Sequence, residues 1–442
     1  MTYEKLLYQH MKKVLVITYY WPPSGGAGVQ RMLKFVKYMP GFNVEPFVLT
    51  IHEDKAFYPI KDASLLKDIH PDLKIVKTKN TEILKFFSSL LPKKEIPHSG
   101  FANHNKNTFA SKVLRFLRGN LLIPDARKSW VNSAFKEACK LIEQEKIDTI
   151  IISTPPHSSQ IVGLKLKKKY PNLKWIADLR DPWTDIYYYK DLLHTSLAKK
   201  IDLKYERDVV QQSNSILVVS KGIKEMFADK YTGIENKIYV IPNGFDEDDF
   251  KVESYPPTNE FLISHTGTIA ESYNPKIFFS ALEKIVAANK EKCKIRVLFI
   301  GKNSPDFKAL GKTYHVSNYI EYKDYVPHQE VITYLKNTTC LLLIIAETAN
   351  QKGLLSGKLF EYLAAKKPII AIGPKAGDAE EILSLSEAGK MFSRDEETQL
   401  VSYIEAKIED WLKNPNLDLT HNKIDLYSRK NLTKQLCDII KK

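Results

Sequence analysis

The stretch Gly353-Leu-Leu-Ser-Gly-Lys-Leu-Phe-Glu-Tyr-Leu-Ala-Ala-Lys-Lys-Pro-Ile-Ile-Ala-Ile-Gly373 follows the apolar run Leu341-Leu-Leu-Ile-Ile345, and together they spell strand, loop, short helix, strand. Ser356 has the chemistry of an N-cap, Gly353 and Gly357 loosen the turn around it, and Pro368 closes the helix beyond Lys367. Lys358 then falls in the first turn and Glu361 three residues later, on the same face. A lysine there is locally unfavourable, because a helix N-terminus already carries partial positive charge. An anion relieves the conflict. Backbone N–H groups plus an ammonium make a diphosphate site, and a carboxylate one turn deeper can accept both hydroxyls of a ribose. The competing reading is an amphipathic helix with two solvated charges.

At 442 residues the chain is long enough for two or three domains. Its hydrophobic content of 43% and charged content of 27% are those of a water-soluble globular protein. No apolar run is long enough to span a bilayer. Met11-Lys-Lys before Val14-Leu-Val-Ile-Thr-Tyr-Tyr20 superficially resembles a signal peptide, but the apolar part is short and no small-residue cleavage site follows, so it reads as the first buried strand. Residues 1–10 then form a leader, with Met1 or Met11 as the start. Cys139, Cys293, Cys340 and Cys437 are far apart, which argues against zinc sites and disulfides and for a reducing, cytoplasmic setting. The formal charge of +14 favours an anionic partner, with nucleic acid, anionic lipid and nucleotide sugar all eligible.

A strand at Val14 to Thr18 runs into Tyr19-Tyr-Trp-Pro-Pro-Ser-Gly-Gly-Ala-Gly28 and a helix from Val29 to Met39, an arrangement that brings backbone close to phosphate. Further strands read at Val44 to Thr50 and Leu73 to Val76. Segment 81–128 lacks sheet pattern and holds nine Lys or Arg against three Asp or Glu beside Phe86, Phe87 and Phe116. Two readings stay open for it: a surface that docks on anionic lipid headgroups, or ordinary helices packed on the sheet. Nucleic acid ranks below both, because no RNA-module signature accompanies the charge. Strand Ile147 to Ser153 leads to Thr154-Pro-Pro-His157 and a helix to Lys169. Strand Lys174 to Ala177 leads to Asp178-Leu-Arg-Asp-Pro-Trp183, at the carboxyl end of a strand, where ligand chemistry in open α/β sheets collects. Asp178, Arg180 and Asp181 are candidate active-site residues, with a salt-bridged structural turn as the rival; His157 is a lesser candidate. Asp246-Glu-Asp-Asp249 reads as a solvated acidic turn rather than a metal site.

The segments Gly353 to Pro374 and Asp178 to Trp183, with the Pro22-Pro-Ser-Gly-Gly26 loop, resemble the retaining GT4-like glycosyltransferases of the GT-B fold, in their surface-polysaccharide branch. The resemblance implies an α/β architecture of two Rossmann-like domains facing across a cleft: an acceptor-side domain over 1–245, a linker over 246–258, a nucleotide-sugar domain over 259–422 and a last helix over 423–442 packing back on the first domain. It implies transfer of a hexosyl-type sugar from a nucleotide-diphosphate sugar to a hydroxyl on a glycan or lipid-linked acceptor. Configuration would be retained, with no metal and no cofactor beyond the donor, and with peripheral contact to the inner face of the plasma membrane. Gly25, Gly26, Gly267 and Thr268 would border the diphosphate, Tyr325-Val326 the base, and Lys358, Leu359 and Glu361 the diphosphate and ribose. The family carries two glutamates here, seven residues apart; Glu361 matches the second and Gly353 stands at the first. No Arg or Lys follows Gly267 before Asn274, which leaves Lys358 as the main cationic contact. Two rivals share the fold, a nucleotide-sugar 2-epimerase and a non-catalytic sugar-nucleotide binder.

Overall fold

The computed structural model describes residues 11–58, 60–79, 116–117, 119–186, 189–270, 273–348, 351–415 and 422–442. Most of the basic segment 81–128 therefore lies outside the described residues. The chain divides into two compact units, Met1–Pro242 with Leu432–Lys442, and Asn243–Asn431.

In the first unit the strands are β1 (Lys12–Ile17), β2 (Val44–Ile51), β3 (Lys74–Thr78), β4 (Thr149–Ser153), β5 (Lys174–Asp178), β6 (Ser215–Val218) and β7 (Ile238–Val240). They form one parallel sheet in the order β3-β2-β1-β4-β5-β6-β7. Helices α1 (Ala27–Tyr38), α2 (Val131–Glu145), α3 (Gln160–Lys169), α4 (Ser196–Gln212) and α5 (Lys221–Lys230) join them. Strands such as Thr149-Ile-Ile-Ile-Ser153 have an apolar centre and are buried at every position, because helices cover both faces of a parallel sheet. The order reverses direction between β1 and β4, so the loops after these two strands open at the switch point of the sheet.

The second unit contains β8 (Glu260–Thr266), β9 (Lys294–Ile300), β10 (Ile320–Lys323), β11 (Cys340–Ile344), β12 (Ile369–Ile372) and β13 (Gly389–Phe392), all parallel, in the order β10-β9-β8-β11-β12-β13. Its helices are α6 (Lys276–Asn289), α7 (Pro305–Thr313), α8 (His328–Lys336), α9 (Gly357–Ala365), α10 (Asp378–Ser386) and α11 (Glu397–Lys413). Here the reversal lies between β8 and β11, which places the loop Gly267-Thr268 next to the loop that feeds α9.

The expected final helix from residue 423 is broken. A short helical turn, Asn422–Tyr427, precedes α12 (Arg429–Lys441), because the chain at Ser428 forms a bridge with Phe245. Phe245 N–H donates to Tyr427 O and Arg429 N–H donates to Phe245 O, which leaves no room for continuous helical bonding there. Beyond the break, Leu432, Leu436, Cys437 and Ile440 join the core under α1 with Val29, Leu33 and Val36. Lys174 Nζ donates to the terminal carbonyls of Ile439 and Ile440, at 2.6 and 3.1 Å.

Candidate functional site

In the second unit, Ser356 caps α9 as its chemistry demands: its Oγ accepts from Lys358 N–H at 3.3 Å. The helix ends at Lys366, which adopts the left-handed conformation ahead of Pro368. Leu359, Phe360, Leu363 and Ala364 pack into the core, which turns Lys358 and Glu361 to the same half-buried edge. Tyr362 ties the helix to the end of β8, where Thr266 N–H donates to its hydroxyl at 2.9 Å. The Lys358 side chain consequently lies across Gly267: a Cβ on Gly267 would stand 2.5 Å from Lys358 Cε and 2.8 Å from Nζ, and Gly267 has a φ of +101°. Only glycine permits both the close approach and that backbone. Lys358 Nζ reaches Thr268 O and His265 Nε2, each at 3.4 Å, and stands 5.4 Å from the Tyr273 ring centroid.

Burial pulls the Lys358 ammonium from its ordinary 10.5 down to about 8, with Glu361 opposing. The same burial raises the Glu361 carboxyl above its ordinary range, helped by Asp249 and opposed by His328 and Lys358. A cation and an anion, each held away from water one helical turn apart, suit a ligand that carries negative charge at one point and hydroxyls at the other.

Several expected contacts in this unit take different roles. Gly267 N–H is not free for an anion, since it donates to Ile300 O at 2.7 Å. Leu359 is fully buried and its N–H donates to Ser356 O, so neither group reaches a ligand. Val326 packs with Leu262, Leu298 and Ile300, whereas the neighbouring Tyr325 side chain is 84% exposed. Asp246 is buried and caps the turn Glu247–Phe250 through Asp248 N–H, so the acidic run is not wholly solvated.

In the first unit the loops after β1, β4 and β5 gather at adjacent strand ends. Gly25 N–H donates to Ile60 O, which commits it to the loop, while Gly26 adopts φ +103° at the start of α1, with no side chain capping that helix. Gly28 makes room for Arg180: a Cβ there would stand 2.4 Å from Arg180 Nη1. The glycine loop and the Asp-Leu-Arg-Asp motif thus meet. Arg180 Nη2 pairs with Asp181 at 3.0 Å, and the Asp181 side chain keeps 37% of its surface exposed. His157 stacks on Trp183 with ring centroids 4.7 Å apart, and burial holds its imidazole below the ordinary value despite Asp125 and Asp181.

Asp178 departs from expectation. Neither it nor Arg31 exposes any side-chain surface, and the two pair at 3.0 Å. Ser153 Oγ donates to Asp178 at 2.8 Å, and Arg31 also donates to the carbonyls of Ile241 and Pro242. Asp178 is a structural anchor beneath the motif, because every oxygen it presents is turned inward and bonded.

The sequence reading missed the groups that hold these loops. Asp125 accepts from Ser158 N–H and Oγ, fixing the chain beside His157. Asp202 on α4 accepts from Trp183 Nε1 and Tyr189 hydroxyl, and burial pushes its carboxyl up to about 6. Glu206, one turn on, accepts from Thr184 N–H, Tyr231 hydroxyl and Lys230. The only trace in the sequence is the spacing of Asp202 and Glu206 on one helical face. Among the described residues, no group of three or more His, Cys, Asp or Glu side chains is placed to hold a metal ion, and no helix is long and apolar enough to cross a membrane.

Residues 90–249 match the family model of Glycosyltransferase Family 4, and residues 260–410 that of Glycosyl transferases group 1. No curated protein matches the sequence significantly. Solved structures do share the fold. A glycosyltransferase from Rickettsia africae is 15% identical, with 98% of each chain covered and a TM-score of 0.57. A sucrose-phosphate synthase from Thermosynechococcus elongatus is 12% identical over 97% of this chain and 98% of its own, with a TM-score of 0.55. HepE from Anabaena, solved with UDP-glucose, is 13% identical over 97% of this chain and 99% of its own, with a TM-score of 0.54. With a Family 4 match over most of its first unit, a group 1 match over most of its second, and a parallel α/β sheet in each, the chain belongs to the glycosyltransferases of the GT-B fold.

Proposed function

We propose that this glycosyltransferase moves a hexosyl-type sugar from a nucleotide-diphosphate sugar to a hydroxyl of a glycan or lipid-linked acceptor, with retained configuration and no metal. The observation that carries the reading is Lys358 lying over Gly267 at the start of α9, with Glu361 one turn deeper. In sugar transfer, negative charge develops on the departing diphosphate. A largely desolvated ammonium already held over Gly267 stabilises it without reorganisation. Glu361 accepts the ribose hydroxyls, and Asp181, exposed beside Arg180, orients the acceptor hydroxyl. The departing phosphate takes the acceptor proton as the new glycosidic bond forms on the face the leaving group vacates. The complex of HepE with UDP-glucose supports a nucleotide-sugar donor.

Peripheral contact with an anionic membrane on the cytoplasmic side, in surface-polysaccharide assembly, completes the reading. Leu117, Leu121, Leu193 and Leu197 are exposed, and Asn120 links this surface by bonding to Phe116 O, Leu193 O and Thr195 N–H. Their apolar surface suits the acyl boundary, and the sequence that leads up to it is basic.

The test is thermal denaturation against a panel of nucleotide sugars and bare nucleotides, followed by transfer assays with membrane lipid extracts. One donor should raise the melting temperature, and Glu361→Ala should abolish that shift. An unchanged shift in the variant overturns the site, and turnover without acceptor points instead to a 2-epimerase.

A further inference from the structure

Lys358 is held by a group outside the readings above. His265 sits near the end of β8, is fully buried, and places Nδ1 2.8 Å from Leu342 O on the neighbouring strand β11. A carbonyl oxygen only accepts, so Nδ1 carries the proton. On the other side of the ring, Nε2 faces Lys358 Nζ at 3.4 Å, and an ammonium only donates. Both neighbours therefore demand the same form of the ring, neutral with Nδ1–H. We propose that His265 is a positioning residue for Lys358: the ring, locked by Leu342 O, offers Nε2 as the acceptor that holds the ammonium over Gly267. The inference rests on the donor-site reading of Lys358.

The choice of partner has a chemical consequence. A carboxylate in the place of His265 would neutralise Lys358 and compete with an incoming anion. A neutral imidazole fixes the direction of the ammonium and leaves its charge for the ligand. A lysine side chain has many rotamers to lose, so a stem already placed by Gly267 and His265 gives up less freedom when a diphosphate arrives. Among the described residues, the other charged groups that act on this pair are His328 and Asp249, both through Glu361. Burial and the Lys358 charge keep His265 neutral far below the ordinary histidine range.

Two measurements on the full-length protein test this. With nitrogen-15-labelled histidine, NMR should show the His265 ring as the neutral Nδ1–H tautomer, with no titration between pH 5 and 8; an Nε2–H tautomer or a titrating ring overturns the proposal. Titration calorimetry with inorganic diphosphate should show His265→Leu binding on the order of tenfold more weakly than wild type, with His265→Gln restoring most of the loss because its amide oxygen can accept from Lys358. In a Lys358→Met background neither substitution should change binding further. Equal losses in the Leu and Gln variants, or none, sink the idea. If neither variant folds, the tautomer decides alone. Failure of the wild type to bind diphosphate removes the donor-site reading, while the tautomer still reports on His265 and Lys358.

Discussion

The carboxylate of Asp178 and the guanidinium of Arg31 pair at 3.0 Å with no side-chain surface exposed on either, joining the end of β5 to the first helix across 147 residues of chain. The pair ties the end of β5 to the helix that follows β1, across the intervening strand β4. Removing one partner of a buried pair leaves the other charged and unbonded, at a cost of about 3 to 5 kcal/mol. Asp178→Ala should therefore lower the urea midpoint sharply or prevent folding. Asp181→Ala, at a partly exposed carboxylate, should change stability by less than about 1 kcal/mol and instead reduce turnover. Parallel denaturation curves and transfer rates for the two variants check the division.

At Gly267 a methyl group meets Lys358 Cε at 2.5 Å, and the φ of +101° disfavours any side chain. Gly267→Ala should displace Lys358 and weaken donor binding by at least tenfold, with a stability loss of about 1 to 3 kcal/mol from the strained backbone. Donor affinity by calorimetry, with the melting temperature measured alongside, separates the two effects. Wild-type affinity in this variant would mean that Lys358 does not touch the ligand.

Lys358 is destabilising in the ligand-free protein. Its pKa falls from 10.5 unfolded to about 8 folded, so the unfolded chain binds more protons between those values. Stability should rise with pH through that window, and the burden is fully present below about pH 8. At 1.36 kcal/mol per unit it is at most on the order of 3 kcal/mol. Lys358→Met should accordingly raise the ligand-free melting temperature at pH 7 and abolish the shift produced by nucleotide sugar. A lowered melting temperature without ligand would contradict the burial argument.

Donor binding should follow a bell-shaped pH profile. The acid limb comes from Glu361, which must be ionised to accept hydroxyls and whose pKa burial raises above its ordinary 4.5. The alkaline limb comes from Lys358, which loses its charge near pH 8 in the free protein. Lys358→Arg keeps the charge at every accessible pH, so it should remove the alkaline limb while weakening binding through altered geometry. Calorimetric affinities between pH 4 and 10 provide the check, and an unchanged alkaline limb in the Arg variant would assign it to another group.

Much of this molecule follows from local pattern. Ser356 caps α9 because a short hydroxyl side chain before an apolar-periodic run satisfies the free N–H groups of the first turn, and that alone puts Lys358 and Glu361 on one edge. The alternation of apolar strands with helices likewise carries the two parallel sheets, since strands covered on both faces are predominantly apolar. Tertiary structure decided the partners. Arg31 lies on a helix far in sequence from Asp178, His265 meets Lys358 across 93 residues, and Gly267 serves as the space that Lys358 fills while its N–H is spent on Ile300 O. Strand order brings these pairs together, and a buried charge takes whatever partner the packing supplies, so the chain alone named the reactive residue types while the fold determined which are enclosed by partners and which keep an open side.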